Sequence, residues 1–206
     1  MSEVPFIHVV DDDESQRTAL LRLLAAAGFE ARGYASTGEF LLAPVPDRHG
    51  CLVLDVRMPG PSGLDLQEAL QRQGVPLPIV FLTGHANVDS AVRAMKAGAV
   101  DFLSKPVERD TLFEAIRRAL ARDEARRAGI EEAKQLRERF ASLTRREREV
   151  LDLIVAGRLN KQIADELGIA ERTVKAERAQ VMAKLGANSP AELGVMAERL
   201  RKLSEG

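Results

Sequence analysis

The chain has 206 residues, 45% hydrophobic and 30% charged with a formal net charge of −1, a composition that excludes a wholly disordered protein. Its single cysteine, Cys51, excludes an internal disulfide; the three histidines have no cysteine at ligand spacing, which argues against zinc; and no apolar run nears the ~18 residues of a membrane span. The neutral sum hides an asymmetry: residues 1–108 carry 9 Lys/Arg against 14 Asp/Glu, and residues 109–206 carry 21 against 17. An acidic half joined to a basic half implies different partners, the basic half being the one suited to nucleic acid. The start of the chain has no basic segment leading into an apolar one, so neither a secretory leader nor a membrane role is expected, and the reducing cytoplasm is the expected compartment.

In chain order, short apolar runs alternate with amphipathic stretches as far as residue 108. The runs are Phe6–Val10, a weaker one near Phe29–Gly33, Cys51–Leu54, Ile79–Leu82 and Val100–Leu103. Several are almost continuously apolar, as strands buried on both faces are. The intervening stretches, near 14–27, 36–43, 63–73 and 87–97, end at or close to Gly28, Pro44, Gly74 and Gly98, which fits helices stopped by breakers. This alternation predicts a five-stranded, doubly wound parallel α/β sheet, whose functional site lies beyond the carboxyl ends of its strands.

From Asp110 to about Phe140 the chain reads as one long helix rich in Arg, Glu and Ala. Leu112, Ile116 and Leu120 suit packing on the sheet, Asp123, Glu124, Arg126 and Arg127 interrupt the stripe, and Ile130, Ala133, Leu136 and Phe140 partly restore it. The broken seam argues against a strong coiled coil, so residues 126–140 are read as a solvated connecting helix, with a dimer-forming helix as the alternative. Beyond Ser142 the pattern is helical throughout. Thr144 and Glu147 form a capping box, Gly157 ends that helix, and Asn160 is placed as the cap of a short helix to Leu167. Gly168 makes a turn, a longer helix runs to Leu185, and Pro190 opens the last one. A short helix, a tight turn and a longer helix form a helix-turn-helix. The expected division is therefore 1–125, a connector at 126–140, and 141–206.

The polar residues at the strand ends carry the chemistry. Asp11 and Asp12 follow the first strand, Asp55 ends the third, Thr83 the fourth and Lys105 the fifth. Three carboxylates gathered at one edge repel one another, and a hard divalent cation such as Mg²⁺ relieves that repulsion through oxygen coordination. Asp55 is then placed to attack a phosphoryl group and become an aspartyl phosphate, while Thr83 and Lys105 stabilise charge on the phosphoryl oxygens. No glycine-rich phosphate loop is present, so a nucleotide held by such a loop is not the expected donor.

These residues stand in Val9-Val10-Asp11-Asp12, Leu54-Asp55-Val56-Arg57-Met58-Pro59, Thr83-Gly84-His85 and Lys105-Pro106, and over about residues 4–125 the chain resembles the receiver domains of two-component response regulators. The resemblance implies Asp55 as phosphoryl acceptor from a histidine kinase. It implies Mg²⁺ held by Asp12, Asp55 and the Arg57 carbonyl oxygen, with Asp11 acting through water. It further implies a switch through Thr83 and Phe102 and a cis Lys105-Pro106 bond; Val107 departs from the aromatic that many relatives carry. Arg57 and His85, two residues beyond Asp55 and Thr83, are placed where an attacking water must enter.

In the basic half, a helical wheel of Glu171–Leu185 puts Val174, Val181 and Leu185 on one stripe and Arg172, Lys175, Ala176, Ala179 and Ala183 on the opposite side. Small side chains permit close approach to a major groove, cations meet phosphate and guanine, and the lack of aromatics argues against single-strand stacking. The stretches Leu143–Leu151, Asn160–Ala164, Arg172–Lys175 and Val181–Leu185 make residues 141–200 resemble the LuxR-like helix-turn-helix of the NarL/FixJ class. That resemblance implies base contacts near Lys175, Ala176 and Ala179 and phosphate contacts from Lys161, Thr173 and their neighbours. Ala170, where a capping hydroxyl is usual, and Glu177, where histidine is common, are departures. Glu177 has no basic residue three or four positions away, so it either repels phosphate or accepts a hydrogen bond from cytosine.

Together these features predict a transcription factor, not an enzyme beyond Mg²⁺-dependent self-phosphorylation and slow dephosphorylation. Phosphorylation drives homodimerisation on double-stranded DNA, and the family resemblance favours activation, with RNA polymerase as a partner. Two competitors are an aspartyl-phosphate phosphatase of the haloacid dehalogenase kind, since Asp11 and Asp13 make an Asp-x-Asp, and an adaptor whose helices bind protein.

Overall fold

Strands buried on both faces need apolar side chains in both directions, and the first half of the chain supplies them. In the computed structural model, which describes residues 4–43, 49–84 and 87–205, five strands alternate with five helices: β1 (Phe6–Val10), α1 (Glu14–Ala26), β2 (Glu30–Tyr34), α2 (Thr37–Leu42), β3 (Gly50–Asp55), α3 (Gly63–Arg72), β4 (Ile79–Thr83), α4 (Val88–Lys96), β5 (Asp101–Ser104) and α5 (Arg109–Ala141). The strands are parallel in the order β2-β1-β3-β4-β5. Every residue of β3 is buried. Its Cys51 and Val53 join Ile7, Val9, Leu24 of α1 and Leu112 and Ile116 of α5 on one face. Leu52 and Leu54 join Phe40 of α2, Leu66 and Leu70 of α3 and Ala94 of α4 on the other. The period-two alternation of the strands thus feeds two apolar layers around one sheet.

The first four helices begin on side-chain caps. Asp13, Ser36, Ser62 and Asn87 each accept the backbone N–H three residues on, satisfying donors that a helix start leaves open. Boundaries differ from the sequence reading by a residue at several ends. The second and fifth strands each lie one residue later, β3 gains Gly50 and Asp55, and β4 gains Thr83. Pro44, the expected stop after α2, lies outside the described residues.

The chain divides into two compact units after Arg127. The second contains the end of α5 together with α6 (Arg145–Val155), α7 (Asn160–Leu167), α8 (Glu171–Leu185) and α9 (Pro190–Glu205). Its core gathers Leu143, Val150, Leu151, Ile154, Ile163, Val174, Val181, Leu185 and Leu193.

Two expectations are corrected here. The stretch read as a solvated connector, 126–140, belongs from Ala128 onward to this second unit. Ala133 and Leu136 are buried, Glu132 pairs with Arg199 at 2.6 Å, and Arg139 donates to the Leu185 carbonyl. Asn160 does not cap α7 but is its first residue; Leu159 is the capping position, and its N–H is taken by the Gln162 Oε1 at 2.9 Å.

Candidate functional site

The parallel sheet delivers β1, β3, β4 and β5 to one edge, and the polar residues are met there. Asp11 is 3% exposed just after β1, Asp12 is exposed beside it, and Asp55 is the last residue of β3 at 9%. One carboxylate oxygen from each of the three lies within 4.8 Å of the others. The Lys105 Nζ, one residue beyond β5, donates to the Asp11 Oδ2 at 2.7 Å and to the Asp55 Oδ2 at 2.6 Å. Its backbone N–H donates to the Thr83 carbonyl at 2.8 Å, tying the ends of β4 and β5 together. The Lys105-Pro106 bond is cis, and Val107 packs half-buried on the α5 side of the sheet.

The remaining oxygens are aimed by the backbone. The Asp13 N–H donates to the Asp11 Oδ1, and the Arg57 N–H to the Asp55 Oδ1, both at 3.0 Å. Burial pulls the Lys105 ammonium pKa down, but the hydrogen bonds and charges of Asp11 and Asp55 outweigh it and hold the group above its ordinary value. A fixed ammonium thus sits between two carboxylates at the carboxyl edge of the sheet. The oxygen donors are the type a hard divalent cation takes, and three of them lie close enough to share one.

Thr83 is fully buried at the end of β4, one residue past the Leu82 that opposes Asp55. Phe102 is half-buried on β5, its ring 5.9 Å from that of Phe81. The Arg57 side chain is exposed, and His85 lies outside the described residues. Asp13 is not part of the cluster: its carboxylate accepts the backbone N–H and the side-chain amide of Gln16, as the cap of α1. The Asp-x-Asp of the phosphatase alternative therefore supplies one site carboxylate and one helix cap.

Sequence reasoning missed two contributors. A Cβ on Gly63 would fall 2.1 Å from the Asp55 carbonyl oxygen, so only glycine lets α3 start this close to the acceptor strand. Its visible signal was a glycine directly after the Pro61-Ser62 turn. Arg17 on α1 donates to the Asp11 carbonyl at 2.7 Å, and a lone arginine on an amphipathic helix gave no such sign.

In the second unit, the Thr144–Glu147 capping box forms as expected, and the Lys184 ammonium 2.7 Å away pulls the Glu147 carboxyl below its ordinary value. Gly168 turns the chain at φ 63°, a conformation that favours glycine, and α8 follows with Val174, Val181 and Leu185 fully buried. Arg172, Lys175, Ala176, Ala179 and Ala183 are exposed on the other side, as the wheel predicted. Lys175 lies 3.7 Å from Glu171, Thr173 is half-buried, and the half-buried Glu177 has no ion pair among the described residues. Lys161 is exposed on α7, and Arg158 and Arg178 line the same recess.

A 2-1-3-4-5 parallel sheet with a cluster of carboxylates at its carboxyl edge is the architecture of a receiver domain. Comparison with known proteins agrees. Residues 7–117 match the response regulator receiver domain, and residues 141–197 match the luxR family of bacterial regulatory proteins. The chain is 46% identical to Nodulation protein W of Bradyrhizobium diazoefficiens, over 94% of this chain and 86% of that one. It is 43% identical to the transcriptional regulatory protein FixJ of Azorhizobium caulinodans, over 93% and 90%. Among solved structures it is similar to the response regulator StyR, with a TM-score of 0.86 at 48% identity, covering 96% of this chain and all of that one. The chain therefore belongs to the response regulators of the NarL/FixJ class: a receiver domain followed by a LuxR-type helix-turn-helix, in a family of two-component transcriptional regulators.

Proposed function

We propose that a histidine kinase transfers a phosphoryl group to Asp55, and that this modification controls dimerisation and sequence-specific binding to double-stranded DNA by the second unit. The observation that carries the reading is the junction of Asp11, Asp12 and Asp55 with the Lys105 ammonium at the carboxyl edge of the sheet. Asp12, Asp55 and the Arg57 carbonyl oxygen would hold Mg²⁺, with Asp11 acting through water. When bound, the ion supplies positive charge to the phosphoryl oxygens.

The Asp55 carboxylate attacks phosphorus in line, the bond from phosphorus to the kinase histidine breaks, and the phosphoryl group leaves with Asp55. Lys105, already charged and fixed, exchanges a carboxylate partner for a phosphoryl oxygen, and the Thr83 hydroxyl takes another. That movement, passed to Phe102 across the face of β5, is the proposed switch. Arg57 stands at the mouth, where its bulk limits the water that hydrolyses the acyl phosphate. Turnover is limited to this self-phosphorylation and slow self-dephosphorylation.

Dimerisation has a candidate surface in α4, where Val88, Val92 and Met95 are exposed at helical spacing. On DNA, Arg172, Lys175, Ala176 and Ala179 approach the bases, and Lys161 and Thr173 meet phosphates. The unpaired carboxylate of Glu177 weakens binding to all sequences alike. We place the protein in the cytoplasm, acting as an activator through RNA polymerase; among the described residues no helix is long and apolar enough to cross a membrane.

The test is labelling with acetyl phosphate and Mg²⁺. The parent chain takes up one acid-stable, base-labile acyl phosphate per molecule and Asp55→Asn takes up none. Stable label in Asp55→Asn overturns the assignment.

A further inference from the structure

The β1–α1 turn presents two of the three site carboxylates, and they are held unequally. The Asp11 carboxylate accepts from the Asp13 N–H and from Lys105, and the Asp11 backbone N–H donates to the Tyr34 carbonyl at 3.2 Å. Asp12 is exposed, and its carboxylate has no hydrogen bond among the described residues. The position of the Asp12 carboxylate therefore depends on the backbone of the turn. One side chain reaches that backbone from outside it: the half-buried Arg17, on the second turn of α1, whose Nη1 donates to the Asp11 carbonyl at 2.7 Å and to the Asp12 carbonyl at 3.4 Å.

The path of Arg17 is prepared by a second residue. Gly33 pairs with Val9 in the β1–β2 register. A Cβ built on it would lie 3.0 Å from both the Cγ and Cδ of Arg17 and 2.9 Å from the Leu21 Cδ1. The stem of Arg17 thus lies across the place where any other residue at position 33 would put its side chain. A permanently charged guanidinium suits the task, because a single Nη carries two N–H donors that can reach neighbouring carbonyl oxygens, and the group is never deprotonated.

We propose that Arg17 is a positioning residue for the acidic site: laid over Gly33, it clamps the two turn carbonyls and so sets the Asp12 carboxylate against Asp11 and Asp55. This rests on reading that trio as the Mg²⁺ site. The proposal separates from a plain charge effect by sign. A nearby cation repels Mg²⁺, so if Arg17 acted through its charge alone, removing it would tighten metal binding. If it acts by holding the turn, removing it loosens metal binding despite the lost repulsion.

The experiment titrates the full chain with MgCl₂ alone, following the amide resonances of the β1–α1 turn, and then repeats the series with acetyl phosphate. Arg17→Ala is expected to weaken Mg²⁺ affinity roughly tenfold, the range seen when a residue supporting a metal ligand is lost. Arg17→Lys recovers part of the loss, and Gly33→Ala, which crowds the stem and keeps the charge, weakens affinity in the same direction. With acetyl phosphate, the half-saturating Mg²⁺ concentration rises in step, while the labelling rate at saturating Mg²⁺ stays within about twofold of the parent, since Asp55 and Lys105 are untouched. Unchanged or tighter Mg²⁺ binding in folded Arg17→Ala overturns the proposal. If that variant does not fold, unchanged affinity in Gly33→Ala with a displaced Arg17 does so instead. Failure of the parent chain itself to bind Mg²⁺ overturns the metal reading, and the inference with it.

Discussion

Lys105 joins two carboxylates that come from different strands, and its ammonium is largely removed from water. Breaking such a pair leaves buried charge uncompensated, so the residue supports the fold of the edge as well as the chemistry. His8 shows a different balance in the middle of β1. It is 2% exposed, lies 3.0 Å through Nδ1 from the Tyr34 hydroxyl, and packs against the rings of Phe6 and Phe40. Burial, and then the charge of Arg32, lowers its pKa to about 4 from 6.5. The fold therefore favours the neutral ring. Its stabilising effect is complete above pH 6.5 and is lost progressively as the pH falls from 6.5 to 4. The shift corresponds to ~3 kcal/mol for this one group at the low end of that window. Urea unfolding at pH 7 and pH 4.5 should show that loss in the parent and a flatter dependence in His8→Leu; equal pH dependence in the two would show that His8 does not titrate on unfolding.

At the scale of elements, α8 is a helix with a good core face and a poor start. Ala170 is its N-cap and makes no side-chain hydrogen bond. Ala170→Ser should stabilise the second unit by about 1 kcal/mol, seen as a raised midpoint in its denaturant transition. No gain would mean that the first turn is already held by tertiary packing. How far such features can be read from sequence differs by element for physical reasons. Asp11, Asp55, Thr83 and Lys105 were legible because a buried parallel strand leaves only its ends for polar residues, so their position along the chain gives their position in space. The core face of α8 was legible because Val174, Val181 and Leu185 keep a strict helical period. The cap of α7 was not: Asn160 has the favoured residue type, yet the orphan N–H of Leu159 is satisfied from Gln162, three residues on, and residue type alone does not say which. The end of α5 was misread for a related reason. Ala133, Leu136 and Phe140 make a short, charge-interrupted stripe, and periodicity reports that a helix has an apolar face without naming what covers it. Arg17 and Gly63 act through main-chain atoms brought close only by the fold, and no local pattern announces that.

Over the whole molecule, an acidic first half carrying the Asp11, Asp12 and Asp55 cluster is joined to a basic second half carrying the helix-turn-helix. Each unit has its own core, so a change at Asp55 alters DNA binding only through a coupling free energy between two separate sites. The proposed coupling is dimerisation. On that proposal, a single helix-turn-helix with Glu177 on its DNA-facing helix would bind weakly and with strong salt dependence, and two linked copies on paired half-sites would bind much more tightly. The central claim is that phosphorylation of Asp55 controls DNA binding. It is tested most directly by exposing the full chain, with and without acetyl phosphate and Mg²⁺, to a pool of random-sequence DNA duplexes, then sequencing and measuring the affinity of what is bound. The account predicts that the phosphorylated parent enriches a symmetric pair of half-sites and binds that DNA at least about tenfold more tightly than the untreated parent, while Asp55→Asn is unaffected by treatment. Equal affinity of treated and untreated parent, or the same increase in Asp55→Asn, would contradict it.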